Sequence, residues 1–422
     1  MLRYSTSLLA LSATVLAIND GCTTGIGDGP LATKFVMDDA LASKGAACLD
    51  GTPGAYYHLP GSGTGANKWY IHHQGGGWCE SIEDCFSRSK GNLGSSKAYP
   101  AQAGLGGGYF DTDSKVNPMM YNWNHVFMRY CDGGSFSGNN ETTQEYNGKT
   151  LHWRGSRIRE SFQEDLFAKR GLDKATDVVI SGCSAGGLAT YLHTDQWCDA
   201  IKTKSGAKCV GLPDSGFFLD YQDPTQKCTP NSAVSATDLL GVTVPGSATD
   251  LLGVTVPGSA TDLLGVTIPG DYHCGLKWTY TIQNASSGVN QDCIKAHTSD
   301  NTQYECMFAE HSSEHIHTPL FAMQSQYDSW QTGHVLFNSN PVQEMGNNIT
   351  SRIQSMLMKN NNESGAFLDS CHHHCGAWNS IQIDGDLVSG AIQKWYNGIG
   401  QEGNKVLWNE NKKYPCDACC KP

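Results

Sequence analysis

The chain has 422 residues, 39% of them hydrophobic, which is enough for one large domain or two ordinary ones with a sizeable core and excludes a disordered chain. It carries 29 Lys and Arg against 41 Asp and Glu, a net charge of -12, with no basic block. A polyanionic nucleic acid would be repelled at long range, so nucleic-acid binding is set aside.

The first residues, MLRYSTSLLALSATVLAIND, place one Arg before an apolar run from Leu8 to Ala17 that ends in small residues. That layout predicts a secretory signal peptide over 1–17. No later stretch has the roughly twenty apolar residues of a membrane span. Seventeen cysteines spread along the chain predict a disulfide-rich protein of an oxidising compartment. Their odd number leaves at least one thiol over, and Cys183 is a candidate for it, since a small buried Cys packs like an apolar residue. Sequons at Asn140, Asn284, Asn348 and Asn362 agree with a secretory route, so the expected location is secreted, extracellular or in a cell wall.

Three apolar runs stop at glycine-rich loops. Trp69 to His73 ends at Gly75-Gly76-Gly77, Val126 to Tyr130 ends before Gly133-Gly134, and Asp177 to Ser181 ends at Gly182. Each reads as a buried strand. Between the last two, Ser156 to Lys169 spaces Ile158, Phe162 and Leu166 as a helix does. Alternating strands and helices predict an α/β fold with a mainly parallel sheet covered by helices on both faces. Active sites in such folds gather at the carboxyl ends of the strands.

Gly182-Cys183-Ser184-Ala185-Gly186 follows the third strand and precedes a helix-like segment, matching G-x-S-x-G in the context the motif requires. A nucleophile elbow of the α/β-hydrolase fold holds Ser in a strained turn, with glycines where side chains would collide. The plainer account is a strand-to-helix turn capped by Ser. Gly75-Gly76-Gly77-Trp78 stands at an earlier strand end, where backbone N–H groups can meet an oxyanion. Gly77 and Trp78 are the expected donors, joined by the N–H of Ala185.

A serine hydroxyl needs a His to take its proton and a carboxylate to orient that His, in the chain order Ser, acid, His. Asp328 follows the apolar run Leu320 to Met323, where a late strand would end, and His374 lies in DSCHHHCGAW near the C-terminus. Asp214 and His193 are the competing acid and base, but both come too early for this order. The triplet His372, His373 and His374 between Cys371 and Cys375 also invites a metal reading, yet adjacent residues rarely reach one ion and oxidised cysteines would be bridged.

The most conspicuous internal feature is SATDLLGVTVPG at 235–246, repeated at 247–258 and, with Ile268 for Val, at 259–270. Three copies bounded by Pro and Gly read as a duplication within a surface loop of a single domain over 18–422, since solenoids have longer periods and more copies.

Beyond these readings, the blocks HHQGGGWC, MYNWNHVFMRYCDGGSFSG, WRGSRIRESFQEDLFAKRG, SGCSAGGLATYLHTD, DSGFFLD, PLFAMQSQYDSWQ, LDSCHHHC and YPCDACC run in order from about residue 35 to the end. Through them the chain resembles the pectin acetylesterase family, which also contains the Notum carboxylesterases, and it is closer to the plant-like branch. The repeats fall outside the pattern. The resemblance implies an α/β-hydrolase fold, a triad of Ser184, Asp328 and His374, an oxyanion hole at Gly77 and Trp78, and no metal or organic cofactor. His374 is selected because plant-like members have a Cys-x-x-His-Cys block. The implied substrate is an acetylated polysaccharide such as pectin, whose negative charge makes Arg88, Arg129 and Arg154 candidate contacts. The alternatives are a Notum-like lipid or protein deacylase and a secreted binding module that keeps the fold without catalysis.

Overall fold

The computed structural model describes residues 27–222, 228, 272–336, 342–416 and 419. The expected signal segment and the repeats lie outside the described residues.

Ten strands form one sheet: β1 (Leu31–Val36), β2 (Ala55–Leu59), β3 (Lys68–His73), β4 (Gln102–Gly104), β5 (Asn124–Met128), β6 (Asp177–Cys183), β7 (Lys208–Asp214), β8 (Phe321–Ser325), β9 (Gly365–Asp369) and β10 (Leu407–Asn409). Their order across the sheet is β10-β9-β8-β7-β6-β3-β5-β2-β1-β4. From β10 to β5 every neighbouring pair is parallel, and β2, β1 and β4 close the other side antiparallel. The three strands expected from the early apolar runs are β3, β5 and β6, and the late one is β8.

The central strands are buried on both faces, as parallel strands under helices must be, and their side chains feed two cores alternately. Ile71, Val178, Ile180, Ala322 and Leu368 face the core shared with helices α2 (Gly155–Asp165) and α3 (Ala185–Lys204). Tyr70, Val179, Phe321, Met323 and Phe367 face the one shared with helix α6 (Val388–Gly398). The helix expected over Ser156–Lys169 is α2 continued by a π-helical turn over Leu166–Arg170. Three further helices matter to the site: α1 (Ile82–Arg88), α4 (Tyr272–Ile282) and α5 (Ser329–His334).

The chain is rich in disulfides, as its composition predicts, including Cys48–Cys131, Cys79–Cys85, Cys198–Cys209 and Cys293–Cys306. One expectation fails: Cys183 is not the spare thiol but is bonded to Cys375. The strand that buries Cys183 also ends beside the loop after β9, so a second cysteine lies within reach, a long-range proximity that local sequence does not carry.

Candidate active site

Strand β6 runs into α3 through Ser184, whose φ of 60° and ψ of -125° lie where a residue with a Cβ rarely sits. Such a conformation costs about 1–3 kcal/mol and persists only where the surroundings enforce it. Here they do. A Cβ on Gly186 would lie 2.0 Å from the His73 carbonyl oxygen, so the turn passes directly over β3, and the Ser184 N–H donates to the Asp214 carbonyl at 3.0 Å. The expected elbow is therefore formed with its serine between the ends of β3 and β7.

The glycine tract after β3 abuts that turn: a Cβ on Gly75 would lie 2.2 Å from the Cys183 carbonyl oxygen and 3.1 Å from the Cβ of Ser184. Arg88 of α1 holds the tract by donating from Nη1 to the Gly76 carbonyl at 2.7 Å. Ala185 is the first residue of α3, whose amino end carries partial positive charge toward any developing anion. Ser135, a residue that motif reasoning passes over, links the two sides. Its hydroxyl accepts from the Trp78 indole N–H at 2.7 Å and donates to the Ala185 carbonyl at 2.8 Å. Its own N–H donates to the Tyr130 hydroxyl at 3.1 Å, which donates to the Gly77 carbonyl at 2.8 Å. Ser135 and Phe136 hold positive φ, and Asp132, buried with its carboxyl pushed up to about 7, accepts from the N–H groups of Gly134 and Phe136 in the same loop. The block RYCDGGSFSG thus encloses a network joining Gly77, Trp78 and Ala185.

Asp328 is fully buried after β8 and caps α5, one oxygen accepting from the Gln331 N–H at 2.9 Å. Its other oxygen accepts from His374 Nδ1 at 2.7 Å. Burial opposes a charge on His374, but the Asp328 carboxylate more than offsets this and raises the imidazole above its ordinary value. With Nδ1 committed to Asp328, Nε2 is left buried without a hydrogen-bond partner among the described residues.

The three consecutive histidines go to three different partners. His372 Nε2 lies 3.0 Å from the Thr332 hydroxyl, and His373 Nε2 lies 3.0 Å from Asp369. Only His374 meets the acid at the end of β8, and Cys371 and Cys375 are both disulfide-bonded. The triplet does not converge as metal ligands do. The competing residues are occupied otherwise: His193 is buried in α3 with Nε2 on the Ser135 carbonyl at 2.7 Å, and the Asp214 carboxylate accepts from Ser215 and from the Gly376 N–H.

The disulfide Cys183–Cys375 brings the two halves together, joining the residue before Ser184 to the residue after His374 with Cα atoms 6.2 Å apart. Beside His374 stands a wall of rings. Phe218 and Trp330 lie 6.1 and 6.2 Å from the imidazole, and Phe218, Trp330 and Tyr272 pack edge-on against Trp78 at 5.1, 5.7 and 5.7 Å. The three arginines suggested for a polyanion are engaged within the fold. Arg88 holds Gly76, Arg129 is buried over Tyr99, and Arg154 donates to the carbonyls of Asn140, Gly45 and Glu141. Arginine content alone did not reveal these internal partners.

A hydroxyl on a strained turn, an imidazole with one free nitrogen oriented by a buried carboxylate, and backbone donors at a helix start can together perform acyl transfer. The family model described as Pectinacetylesterase matches residues 30–250 and 263–421, its gap falling inside the repeats. Pectin acetylesterase 5 of Arabidopsis thaliana is 29% identical over 92% of this chain and 84% of its own length. Pectin acetylesterase 11 of the same plant is 30% identical over 85% of this chain and 84% of its own length. The palmitoleoyl-protein carboxylesterase notum1 of Xenopus laevis is 27% identical over 90% of this chain and 70% of its own length. The solved structure of the Wnt deacylase Notum from Drosophila shares the fold with a TM-score of 0.70 at 21% identity, covering 93% of this chain and all of its own. The chain belongs to the pectinacetylesterase family and is a carboxylic ester hydrolase with the α/β-hydrolase fold.

Proposed function

We propose that the protein is a secreted serine esterase that removes acetyl groups from an acetylated cell-wall polysaccharide such as pectin. Ser184 Oγ attacks the acetyl carbonyl carbon while His374 Nε2 takes its proton, and the oxyanion is held by the N–H groups of Gly77, Trp78 and Ala185. As the tetrahedral species collapses, the bond to the sugar oxygen breaks and His374 returns the proton to that oxygen. Water, deprotonated by the same nitrogen, then attacks the acetyl-serine carbonyl; as the bond to Ser184 Oγ breaks, His374 returns that proton to Oγ and acetate leaves. Asp328 keeps Nδ1 protonated and stabilises the imidazolium without itself taking the proton. No metal or organic cofactor enters any step.

The observation that carries the reading is the His374–Asp328 pair, with its free Nε2, stapled beside the Ser184 turn. The short acyl group is favoured by the ring wall. Phe218 and Tyr272 are buried and packed on Trp78 beside His374, whereas a lipid deacylase needs an open apolar channel. The relatives named as palmitoleoyl-protein carboxylesterases make long-acyl deacylation the second reading. Secretion is supported by the leader-like segment at 1–17 and by the disulfides.

Hydrolysis of p-nitrophenyl acetate, butyrate and palmitate separates the two. The acetyl reading predicts kcat/KM falling steeply with chain length. Equal or faster turnover of the palmitate would replace it with the deacylase reading.

A further inference from the structure

Behind the ring wall, on the side away from His374, the chain collects ionisable side chains that the ester chemistry does not use. Asp220 follows Phe218 by two residues, and its carboxylate accepts from His273 Nδ1 at 2.5 Å and from His311 Nε2 at 3.0 Å. His297 Nδ1 lies 3.1 Å from Glu305 Oε2, and the rings of His297 and His311 meet nearly at right angles with centroids 5.9 Å apart. The donor atoms of His297, Glu305 and His311 all fall within 4.8 Å of one another. All three residues are half-buried, so an ion can reach them without local unfolding.

Two features hold this constellation in place. The disulfide Cys293–Cys306 ties the helix that ends just before His297 to the turn that carries Glu305. The Asp220 carboxylate holds the His311 ring through Nε2, so Nδ1 is the atom that His311 can offer to an ion, the carboxylate–histidine arrangement common behind metal ligands. Among the described residues, Asp220, Glu305 and Glu310 gather here, with the Arg352 guanidinium pairing with Glu310 at 3.1 Å and the Lys277 ammonium over the Tyr304 ring. The neighbouring thiols of Cys293 and Cys306 are spent in their disulfide and offer no ligand.

We propose that His297, Glu305 and His311 form a binding site for a zinc-class divalent cation, with Asp220 as the outer partner that orients His311. Two imidazole nitrogens and one carboxylate oxygen suit zinc or a similar first-row ion, and not calcium or magnesium, which take oxygen ligands. The cation lies between His297 and Glu305, the Thr302 hydroxyl now 2.9 Å from His297 Nδ1 gives way to it, and water completes its shell. The ion is structural. Phe218 and Tyr272 of the ring wall lie next to Asp220 and His273, so a filled site braces that wall from behind and takes no part in acyl transfer.

The test is calorimetric titration of ZnCl2 into the EDTA-treated, dialysed full-length protein at pH 7.5, with thermal denaturation read in parallel. One ion per chain is expected, together with a rise in Tm that EDTA reverses. The double variant His297→Ala, His311→Ala is expected to lose saturable binding and the Tm response, while keeping the Tm of the metal-free parent and its esterase activity. Glu305→Gln preserves volume and hydrogen bonding should the double variant fold poorly, and is expected to weaken binding at least about tenfold. Absence of saturable binding to the parent, or undiminished stoichiometric binding to Glu305→Gln and the double variant, overturns the proposal.

Discussion

Cys183 and Cys375 are covalently joined although 192 residues separate them, and each is the immediate neighbour of a residue assigned to the chemistry, Ser184 on one side and His374 on the other. The strained serine turn is fixed by β6 and α3, whereas His374 sits in a loop after β9, so the bond transfers the rigidity of the sheet to that loop. A second tie runs alongside it, from the Cys375 N–H to the Ser215 hydroxyl at 2.8 Å. The double variant Cys183→Ala, Cys375→Ala should therefore fold and bind ester substrate with little change in KM, but lose about 10²-fold in kcat, the scale expected for a misplacement near 1 Å. Steady-state kinetics beside circular dichroism checks this. Unchanged kcat would show that the remaining hydrogen bonds suffice to position His374.

Ser135 connects the Trp78 indole to the Ala185 carbonyl, and with Tyr130 it closes a chain of hydrogen bonds around all three expected oxyanion donors. Its hydroxyl is spent on Trp78 and Ala185, so under the proposed mechanism it acts by positioning. Ser135→Ala should lower kcat between about ten- and a hundredfold, somewhat less than removal of a donor itself, with KM held. Tyr130→Phe, which breaks the far end of the chain, should show a smaller effect in the same direction. A loss confined to KM would place Ser135 in substrate binding instead.

The pH dependence follows from His374. As the proposed base it must be neutral, and the Asp328 carboxylate, outweighing burial, raises its pKa above the ordinary value of 6.5. The acid limb of kcat/KM should accordingly have its midpoint above pH 6.5, with activity rising as the imidazole loses its proton. A rate profile on p-nitrophenyl acetate from pH 4 to 10 measures it. A midpoint below 6 would mean that Asp328 does not carry its charge beside His374 during turnover.

His373 makes the neighbouring pair with Asp369. Burial opposes its charge, but the carboxylate's charge and hydrogen bond lift the imidazole to about 9. Because this folded-state value lies above that of the unfolded chain, the stabilisation is fully present below about pH 6.5 and is lost as the pH rises through about 9. His373→Asn should lower Tm at pH 6 and have a much smaller effect at pH 10. Equal losses at the two pH values would mean that His373 contributes by packing and not by charge.

Much of this site can be read from sequence because its parts obey local rules. A glycine is needed at 186 since a side chain there would strike the His73 carbonyl, and that requirement is written in G-x-S-x-G. The parallel sheet follows from apolar runs that β6 and β3, buried on both faces, could not do without. What stayed hidden depends on distant partners. Cys183 looks like a small apolar filler until β9 brings Cys375 to it. Arg88, Arg129 and Arg154 look like polyanion contacts until the carbonyls and rings they serve are in view. Ser135 sits in a quoted block whose meaning depends on Trp78 and Ala185 being next to each other in space. The repeats at 235–270 lie outside the described residues.

The central claim is that Ser184 carries an acetyl group between a sugar oxygen and water, and the most direct measurement is acetate release from acetylated pectin by the purified protein beside its Ser184→Ala variant. Steady release by the parent is expected, with at least about a 10³-fold loss in a variant whose Tm is unchanged, in line with the loss of a nucleophile from such a constellation. Release that survives in folded Ser184→Ala, or a parent that frees no acetate from the polymer while cleaving long-chain esters, would contradict it.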